Sequence, residues 1–268
     1  MLSNLHTHTT FCDGKSTAEE TVKTAISRGF VSLGFSGHGY TAFELGSCMK
    51  DEDGYIREIN RLKEVYKDEI EIYLGTEEDA FSPIDRSKYE YIIGSSHFIR
   101  SRGEYIPIDL GRECIDKCLG AFGGDVSALS ESYYGSFVKY LRARRPDVVG
   151  HFDLLTKYDE CSEPHFLGNP AHDRIAERFI SDISREGFLF EVNTGAIARG
   201  MRVTPYPAVN LLRIINQSGS PITLTSDCHN ADYIDCNFKE AKEMLYDIGF
   251  RELTILYKHR FTKISLTI

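Results

Sequence analysis

The sequence lacks the features that mark membrane and secreted proteins. No apolar run among its 268 residues is long enough to cross a bilayer, and the N-terminus has neither the basic start nor the apolar stretch of a signal peptide. The seven cysteines are odd in number and include no Cys-x-x-Cys pair, which favours reduced thiols over disulfides or a zinc ribbon. We therefore expect a cytoplasmic protein that does not associate with membranes.

An excess of basic residues is also missing. The chain has 31 lysines and arginines against 40 aspartates and glutamates, which gives a net charge of −9. A protein that wraps nucleic acid needs a basic face to displace counterions from the phosphates. We therefore expect a small-molecule partner and no nucleic acid, and the oligomeric state stays open.

Apolar patterning predicts alternating strands and helices. Hydrophobic residues make up 41% of the chain, and the length fits one α/β barrel or two smaller domains. Strands are predicted at residues 3–5, 31–35, 70–74, 91–94, 147–149, 188–192, 221–225 and 252–256. Helices are predicted at residues 17–28, 51–67, 111–119, 128–144, 170–185, 205–217 and 238–246. Ser16 and Glu19 form a capping-box pattern, and residues 75–79 and 99–102 are expected to be a turn and a polar loop.

The alternation is typical of a parallel sheet with right-handed crossovers. We predict a single α/β barrel domain over residues 1–268, with an open doubly wound sheet as the structural alternative. In a barrel, the C-terminal ends of the strands share one face, and that face carries the chemistry.

A candidate metal site begins at the end of the first strand. His6 and His8 are alternate residues, so both imidazoles can face one ion, and Asp13 follows in a turn that Gly14 allows to bend sharply. A lone His-x-His pair is weak evidence. Ligand-type side chains also follow later strands, however, and these are His38, Glu77, His97, His151, Asp227 and His229.

Some nearby residues leave alternatives open. Glu78 and Asp79 adjoin Glu77, so the register of that ligand is uncertain by a residue or two. Asp153 could orient His151 or only cap a turn. We do not count His165, His172 and His259 as ligands, because they lie away from the strand ends or lack an acidic partner pattern.

Taken in order, the ligand-type residues resemble those of the polymerase and histidinol phosphatase (PHP) family of metal-dependent phosphoesterases. Residues 94–98 (GSSHF) and 150–158 (GHFDLLTKY) most resemble its histidinol-phosphate phosphatase branch. The resemblance implies a distorted (β/α)7 TIM-like barrel with three divalent ions, either zinc, manganese or iron, at the C-terminal ends of the strands. It further implies the following ligand sets: His6, His8, Glu77 and Asp227 for one ion; Glu77, His97 and His151 for a second; Asp13, His38 and His229 for a third.

The implied chemistry is hydrolysis of a phosphate monoester. Such an ester is a dianion that repels hydroxide, and paired ions about 3.5–4 Å apart both neutralise it and lower the pKa of a shared water. Glu77, Asp227 and Arg199 are the predicted catalytic residues, and no cysteine or serine nucleophile is required. Substrate phosphate also needs basic groups, for which the candidates are Arg199, Lys157, Arg100 and Arg102.

The resemblance implies a histidinol phosphatase, which converts L-histidinol phosphate to L-histidinol and phosphate in histidine biosynthesis. One alternative is another PHP phosphoesterase that acts on nucleotides, nucleic-acid ends or phosphotyrosine. An alternative of a different class is a non-catalytic module that binds phosphate or a metabolite. Bound metal would distinguish this module from either enzyme.

Overall fold

The computed structural model describes residues 1–267. Its strands are β1 (Leu2–Asn4), β2 (Phe30–Phe35), β3 (Glu71–Asp79), β4 (Tyr91–Ser95), β5 (Phe98–Ser101), β6 (Glu104–Pro107), β7 (Val148–Val149), β8 (Phe190–Asn193), β9 (Ile222–Thr225), β10 (Glu252–Tyr257) and β11 (Arg260–Ser265). Its α-helices are α1 (Ala18–Ser27), α2 (Glu52–Val65), α3 (Arg112–Ala121), α4 (Val126–Arg144), α5 (Pro170–Ile183), α6 (Gly195–Ala198), α7 (Val209–Ser218) and α8 (Phe238–Ile248).

Seven strands form one sheet in the order β1-β2-β3-β4-β7-β8-β9, and every neighbouring pair is parallel. A parallel bridge between Thr7 and Cys228 links the segments that follow the first and last of these strands. The sheet is therefore a nearly closed barrel, and the predicted distorted (β/α)7 barrel is confirmed. Among the described residues, no helix combines the length and the apolar character needed to span a membrane.

The start of α1 differs by one residue from the prediction. The capping box is formed by Thr17 and Glu20, because the Thr17 hydroxyl accepts from Glu20 N and the Glu20 carboxylate accepts from Thr17 N at 2.8 Å. The expected pair of Ser16 and Glu19 was wrong. The Ser16 hydroxyl instead accepts a hydrogen bond from Ala231 N at 3.0 Å, a tertiary contact between distant parts of the chain.

Two segments expected to be irregular are strands. Residues 75–79 were predicted to form a turn, but β3 continues to Asp79 and pairs with β4 from Gly75 onward. The first half of β3 pairs with β2 instead, so one long strand joins both neighbours. The predicted polar loop at residues 99–102 lies in an antiparallel hairpin formed by β5 and β6, with Arg102 at its tip.

Tyr91 connects the barrel interior to the strand ends. Its ring is buried in a small cluster with Leu5 and Tyr73, and its hydroxyl donates to Leu5 O at 2.5 Å. A Cβ on Gly75 would lie 2.3 Å from the Tyr91 ring, so only glycine fits at that point of β3. This packing fixes the backbone directly before His6.

Candidate metal centre

The structure brings all nine ligand-type residues into one region at the C-terminal ends of the strands. Four overlapping groups place their ligand atoms within 4.8 Å of one another: His8, Asp13, His38 and His229; His6, Glu77 and His151; His6, His8 and Asp227; His38, Glu77 and His97. The three other histidines belong to none of these groups. His172 is buried and lies 3.0 Å from the Ser130 hydroxyl, whereas His259 is exposed.

Glu77 lies at the centre of these groups. Its Oε1 is 3.0 Å from Nε2 of His151 and 3.2 Å from Nε2 of His97. Its Oε2 is 2.9 Å from Nδ1 of His38 and 3.3 Å from Nε2 of His6. Because the two oxygens face different histidines, the carboxylate has the arrangement needed to bridge two cations.

The neighbours of Glu77 in the strand have other partners. Glu78 is fully buried and accepts hydrogen bonds from Nη2 of Arg144 at 2.6 Å and from the Tyr140 hydroxyl at 2.7 Å. Asp79 accepts from the backbone N of His97 at 2.9 Å. Of the three acids, the geometry therefore favours Glu77 as the ligand.

Backbone contacts hold the first cluster in place. His8 N donates to Cys228 O at 2.9 Å, which joins the first strand end to the segment that carries Asp227. As a result, Nε2 of His8 lies 3.1 Å from Oδ1 of Asp227. Gly14 does not have a positive φ, as a sharp turn would suggest, but a Cβ there would lie 2.5 Å from Thr9 N. Glycine is thus required for close packing against the histidine turn.

A second part of the cluster surrounds Asp13. Oδ2 of Asp13 lies 3.3 Å from Nε2 of His229 and 3.7 Å from Nε2 of His38. Oδ1 lies 3.6 Å from Nδ1 of His8. These side chains are the ligand set expected for the third ion, together with His8.

Two carboxylates that orient histidines were not assigned that role from the sequence. Glu191 lies 3.0 Å from Nδ1 of His6, and Asp79 lies 3.3 Å from Nδ1 of His97. An acid that contacts the outer nitrogen of a ligating imidazole fixes the orientation and tautomer of the ring. The available signal was a glutamate inside the apolar strand at residues 188–192. Asp153 does not contact His151 in this way. Its Oδ2 accepts from Ala208 N at 2.9 Å, directly before α7, and its Oδ1 has no hydrogen-bond partner among the described residues.

The predicted phosphate-binding residues are divided between the site and the surface. Arg199 lies beside the cluster, where Nη2 donates to Oδ2 of Asp227 at 3.0 Å and Nη1 donates to its carbonyl O at 3.0 Å. Lys157 also lines the cavity above the cluster. Arg100 and Arg102 are exposed on the β5–β6 hairpin and are not part of the cavity lining.

The electrostatics of the cluster suit cation binding. Burial raises the pKa of Glu77 and Asp227, but positive neighbours outweigh burial and hold each pKa well below its ordinary value: mainly His6 for Glu77, and Arg199 for Asp227. Burial, together with His229 and His38, lowers the pKa of His8 to about 3. The carboxylates are therefore ionised and His8 is neutral near pH 7, which are the forms that bind metals. For His6, His38 and His97, nearby carboxylates outweigh burial and raise the pKa, so a bound cation would displace protons from these rings.

The unsatisfied atoms also fit a metal. Nε2 of His6, Nε2 of His8 and both carboxylate oxygens of Glu77 are buried and make no hydrogen bond within the described residues. Buried polar atoms are rarely left without partners, and cations bound between these side chains would satisfy all four. Imidazoles and carboxylates together are suitable ligands for divalent ions such as zinc. The residues present therefore fit a divalent metal site.

Asp227 is held in an unusual backbone conformation. Its φ is 44°, in the left-handed region that non-glycine residues rarely adopt. Gly195 packs directly against it, because a Cβ on Gly195 would lie 2.9 Å from Cβ of Asp227 and 2.7 Å from Ser226 O. Strained residues of this kind persist only when the surrounding packing determines them, and they concentrate at functional sites.

The cluster forms the floor of a cavity of about 270 Å³. The wall includes Glu44 and Ser47 from the segment between β2 and α2, and Asp109 and Leu110 from the segment before α3. Lys157 and Arg199 add two basic groups to the lining. The lining therefore combines acidic and basic groups around the cluster.

Comparison with known proteins places the chain in a family. The PHP domain family model matches residues 4–195. A Schizosaccharomyces pombe protein named "Probable histidinol-phosphatase" is 28% identical over 276 residues, covering 94% of this chain and 89% of the relative. The histidinol-phosphatase of Bacillus subtilis is 25% identical and covers 84% of this chain and 92% of the relative.

Solved structures have the same fold. The crystal structure of histidinol phosphate phosphatase from Lactococcus lactis, complexed with Zn, L-histidinol and phosphate, matches with a TM-score of 0.72 at 19% identity, covering 97% of this chain and 98% of that chain. The family match begins before His6 and ends at Gly195, so it includes the strand ends that carry His6, Glu77 and His151. Because it spans most of the barrel and these side chains meet at one cluster, this chain belongs to the PHP domain family.

Proposed function

We propose that this protein hydrolyses L-histidinol phosphate to L-histidinol and phosphate, a step of histidine biosynthesis. It is a phosphoric monoester hydrolase of the PHP domain family. The observation that carries the proposal is the set of buried, unsatisfied ligand atoms around Glu77 at the floor of a cavity that also contains Arg199. The names of the relatives support the choice of substrate.

The nine residues would hold three divalent ions. Glu77 would bridge an ion held by His6, His8 and Asp227 to one held by His97 and His151; the third set is Asp13, His38 and His229, with His8 at its edge. When bound, such ions neutralise a phosphate dianion and lower the pKa of water, so that a nucleophile is available at neutral pH. The Zn complex of the Lactococcus lactis protein favours zinc, while manganese and iron suit the same mixed ligands.

The remaining side chains position the substrate. The guanidinium of Arg199 is fixed by Asp227, so its charge is presented to the cavity with little loss of conformational entropy on binding. We infer that it contacts phosphate oxygens and keeps the ester facing the cluster. Burial of Glu77 and His8 excludes bulk water from the floor, which strengthens the electrostatic interactions there.

A substrate panel tests the proposal. Purified protein with added zinc, manganese or iron(II) would be assayed for phosphate release from L-histidinol phosphate, a nucleotide, a phosphorylated DNA end and phosphotyrosine. We expect clear preference for L-histidinol phosphate and loss of activity after chelation, with recovery when metal returns. Phosphate release only from another ester would contradict the substrate. Near-zero metal content by elemental analysis, together with no turnover, would favour a non-catalytic binding module.

A further inference from the structure

The carboxylates that line the cavity differ in the partners that they already have. Six line it, namely Asp13, Glu44, Glu77, Asp79, Asp109 and Asp227. Three of them are assigned above to metal ions. The other three are therefore the acids available to recognise the organic part of a substrate.

Two of those three carboxylates already accept hydrogen bonds from nearby residues. Asp79 accepts hydrogen bonds from His97 N at 2.9 Å and from Phe81 N at 2.8 Å. Glu44 accepts from the backbone N of Ser47 at 3.1 Å and also bonds the Ser47 hydroxyl, which closes its own loop. Both carboxylates thus already accept hydrogen bonds from donors of their own segments, and Oε1 of Glu44 also accepts from Gly46 N.

Asp109 is different. Within the part of the chain that the structure describes, no hydrogen bond reaches its carboxylate, and its one ion pair is with Nζ of Lys157 at 3.5 Å. Its backbone is nevertheless anchored, because Lys157 Nζ and the Tyr158 hydroxyl donate to its carbonyl O at 2.9 and 2.6 Å. The side chain is 18% exposed, and its opening is toward the cavity that it lines. A rigid backbone thus presents a carboxylate that accepts no hydrogen bond within the described residues and has Lys157 as its one cationic partner.

We propose that Asp109 binds the primary ammonium group of the substrate and so selects amino-alcohol phosphates over phosphate esters without an amine. The inference rests on the proposed function and names the residue that gives it specificity. A cluster of cations with Arg199 attracts any phosphate monoester, so the phosphate end alone does not discriminate. A carboxylate at the wall pairs with an ammonium group and repels a second anionic group, which provides the discrimination.

The test compares two substrates that differ only in the amine: L-histidinol phosphate and 3-(imidazol-4-yl)propyl phosphate. Both retain the imidazole and the phosphate, so the comparison isolates the ammonium group. In Asp109→Asn, we expect kcat/KM for L-histidinol phosphate to fall about 10- to 100-fold, mainly through KM, because a charged hydrogen bond is lost. For the analogue we expect a change below about twofold. Asp109→Glu should recover part of the preference for the amine.

Asp116→Asn is the matched control. It makes the same chemical change on α3, at a side chain that is 61% exposed and outside the cavity lining, and it should leave both substrates unaffected. Metal content and thermal unfolding of each variant establish that the barrel is intact. Equal loss on both substrates, or no loss on either, would overturn the role of Asp109 while leaving the proposed function in place. A wild-type protein that does not hydrolyse L-histidinol phosphate would instead overturn the proposed function and this inference with it.

Discussion

Glu191 holds the imidazole of His6 with both carboxylate oxygens, each 3.0 Å from Nδ1. Both side chains are fully buried. With Nδ1 occupied, Nε2 of His6 faces Glu77 at 3.3 Å and Asp227 at 3.6 Å. The direction of the nitrogen proposed as a metal ligand is therefore determined by a residue of β8, far from His6 in the sequence.

Replacing this glutamate should weaken metal binding. Glu191→Gln removes the negative charge that supports His6, and the loss of such an orienting group reduces metal affinity about 10- to 100-fold. Competition with a chromophoric chelator would measure the affinity. Glu186→Gln is a suitable control, because Glu186 pairs with Arg142 at the surface. Equal affinities in wild type and Glu191→Gln would show that His6 does not need this partner.

Substitutions of the adjacent glutamates Glu77 and Glu78 in β3 should differ in their effects on turnover and metal content. Glu77→Gln should reduce kcat about 100-fold or more and lower the metal content, because the central carboxylate loses its charge. We expect the metal-free variant to fold with a moderate loss of stability, because the side chain no longer attracts the histidines around it. Steady-state kinetics, elemental analysis and urea unfolding would be measured together.

Glu78→Gln serves as the comparison. It weakens the contacts with Arg144 and Tyr140, so it should lower the free energy of unfolding by about 1–3 kcal/mol. The folded variant should keep its metal and turnover. Full activity in Glu77→Gln, or metal loss confined to Glu78→Gln, would show that the bridging role belongs elsewhere.

Gly195 should be intolerant of a side chain. In Gly195→Ala, the new Cβ meets the backbone oxygen of Ser226 at 2.7 Å, so the segment that carries Asp227 must move. A displacement of about 1 Å at a catalytic group can cost about 100-fold in rate. We expect lower kcat/KM and weaker metal binding, measured by kinetics and chelator competition.

The control for this substitution is Gly120→Ala. Gly120 lies in α3 with open space around the position of a Cβ, so alanine should be neutral or should stabilise the helix by up to about 1 kcal/mol. Wild-type kinetics in Gly195→Ala would mean that the Asp227 segment accommodates the methyl group without moving the carboxylate.

His172 should make the protein sensitive to acid. Burial lowers the pKa of His172 to about 4, whereas in the unfolded chain it is about 6.5. As the pH falls below about 6.5, the unfolded chain takes up a proton that the folded chain cannot accept until about pH 4. The folded state therefore loses stability across that interval, by about 3 kcal/mol at full extent.

His172→Gln removes this titration and keeps a neutral polar group near Ser130. Urea unfolding at several pH values between 4 and 7 should show a shallower loss of stability than in wild type. The exposed His259, when changed to Gln, provides the comparison and should leave the slope unaltered. A slope in His172→Gln as steep as in wild type would exclude His172 as its source.

The barrel and the order of the ligand-type residues could be predicted from the sequence. Parallel strands place their C-terminal ends at one rim, so the positions of His38, His97 and His151 after predicted strands were informative. Local chemistry was less reliable where tertiary contacts competed with it. Serine commonly caps helices, but the Ser16 hydroxyl accepts a hydrogen bond from Ala231 N. Residues 75–79 include three acidic side chains, as exposed turns often do, but they form part of a buried strand.

By itself, the sequence determined the family, the alternation of strands and helices, and which residue types follow each strand. Tertiary structure decided which of three consecutive acids faces the cluster, and it assigned orienting roles to Glu191 and Asp79. It also separated Arg199, at the site, from Arg100 and Arg102, at the surface. The physical reason is that periodicity reports which side of an element is buried, whereas the partner of a side chain depends on how distant segments pack: His6 and Glu191 are 185 residues apart.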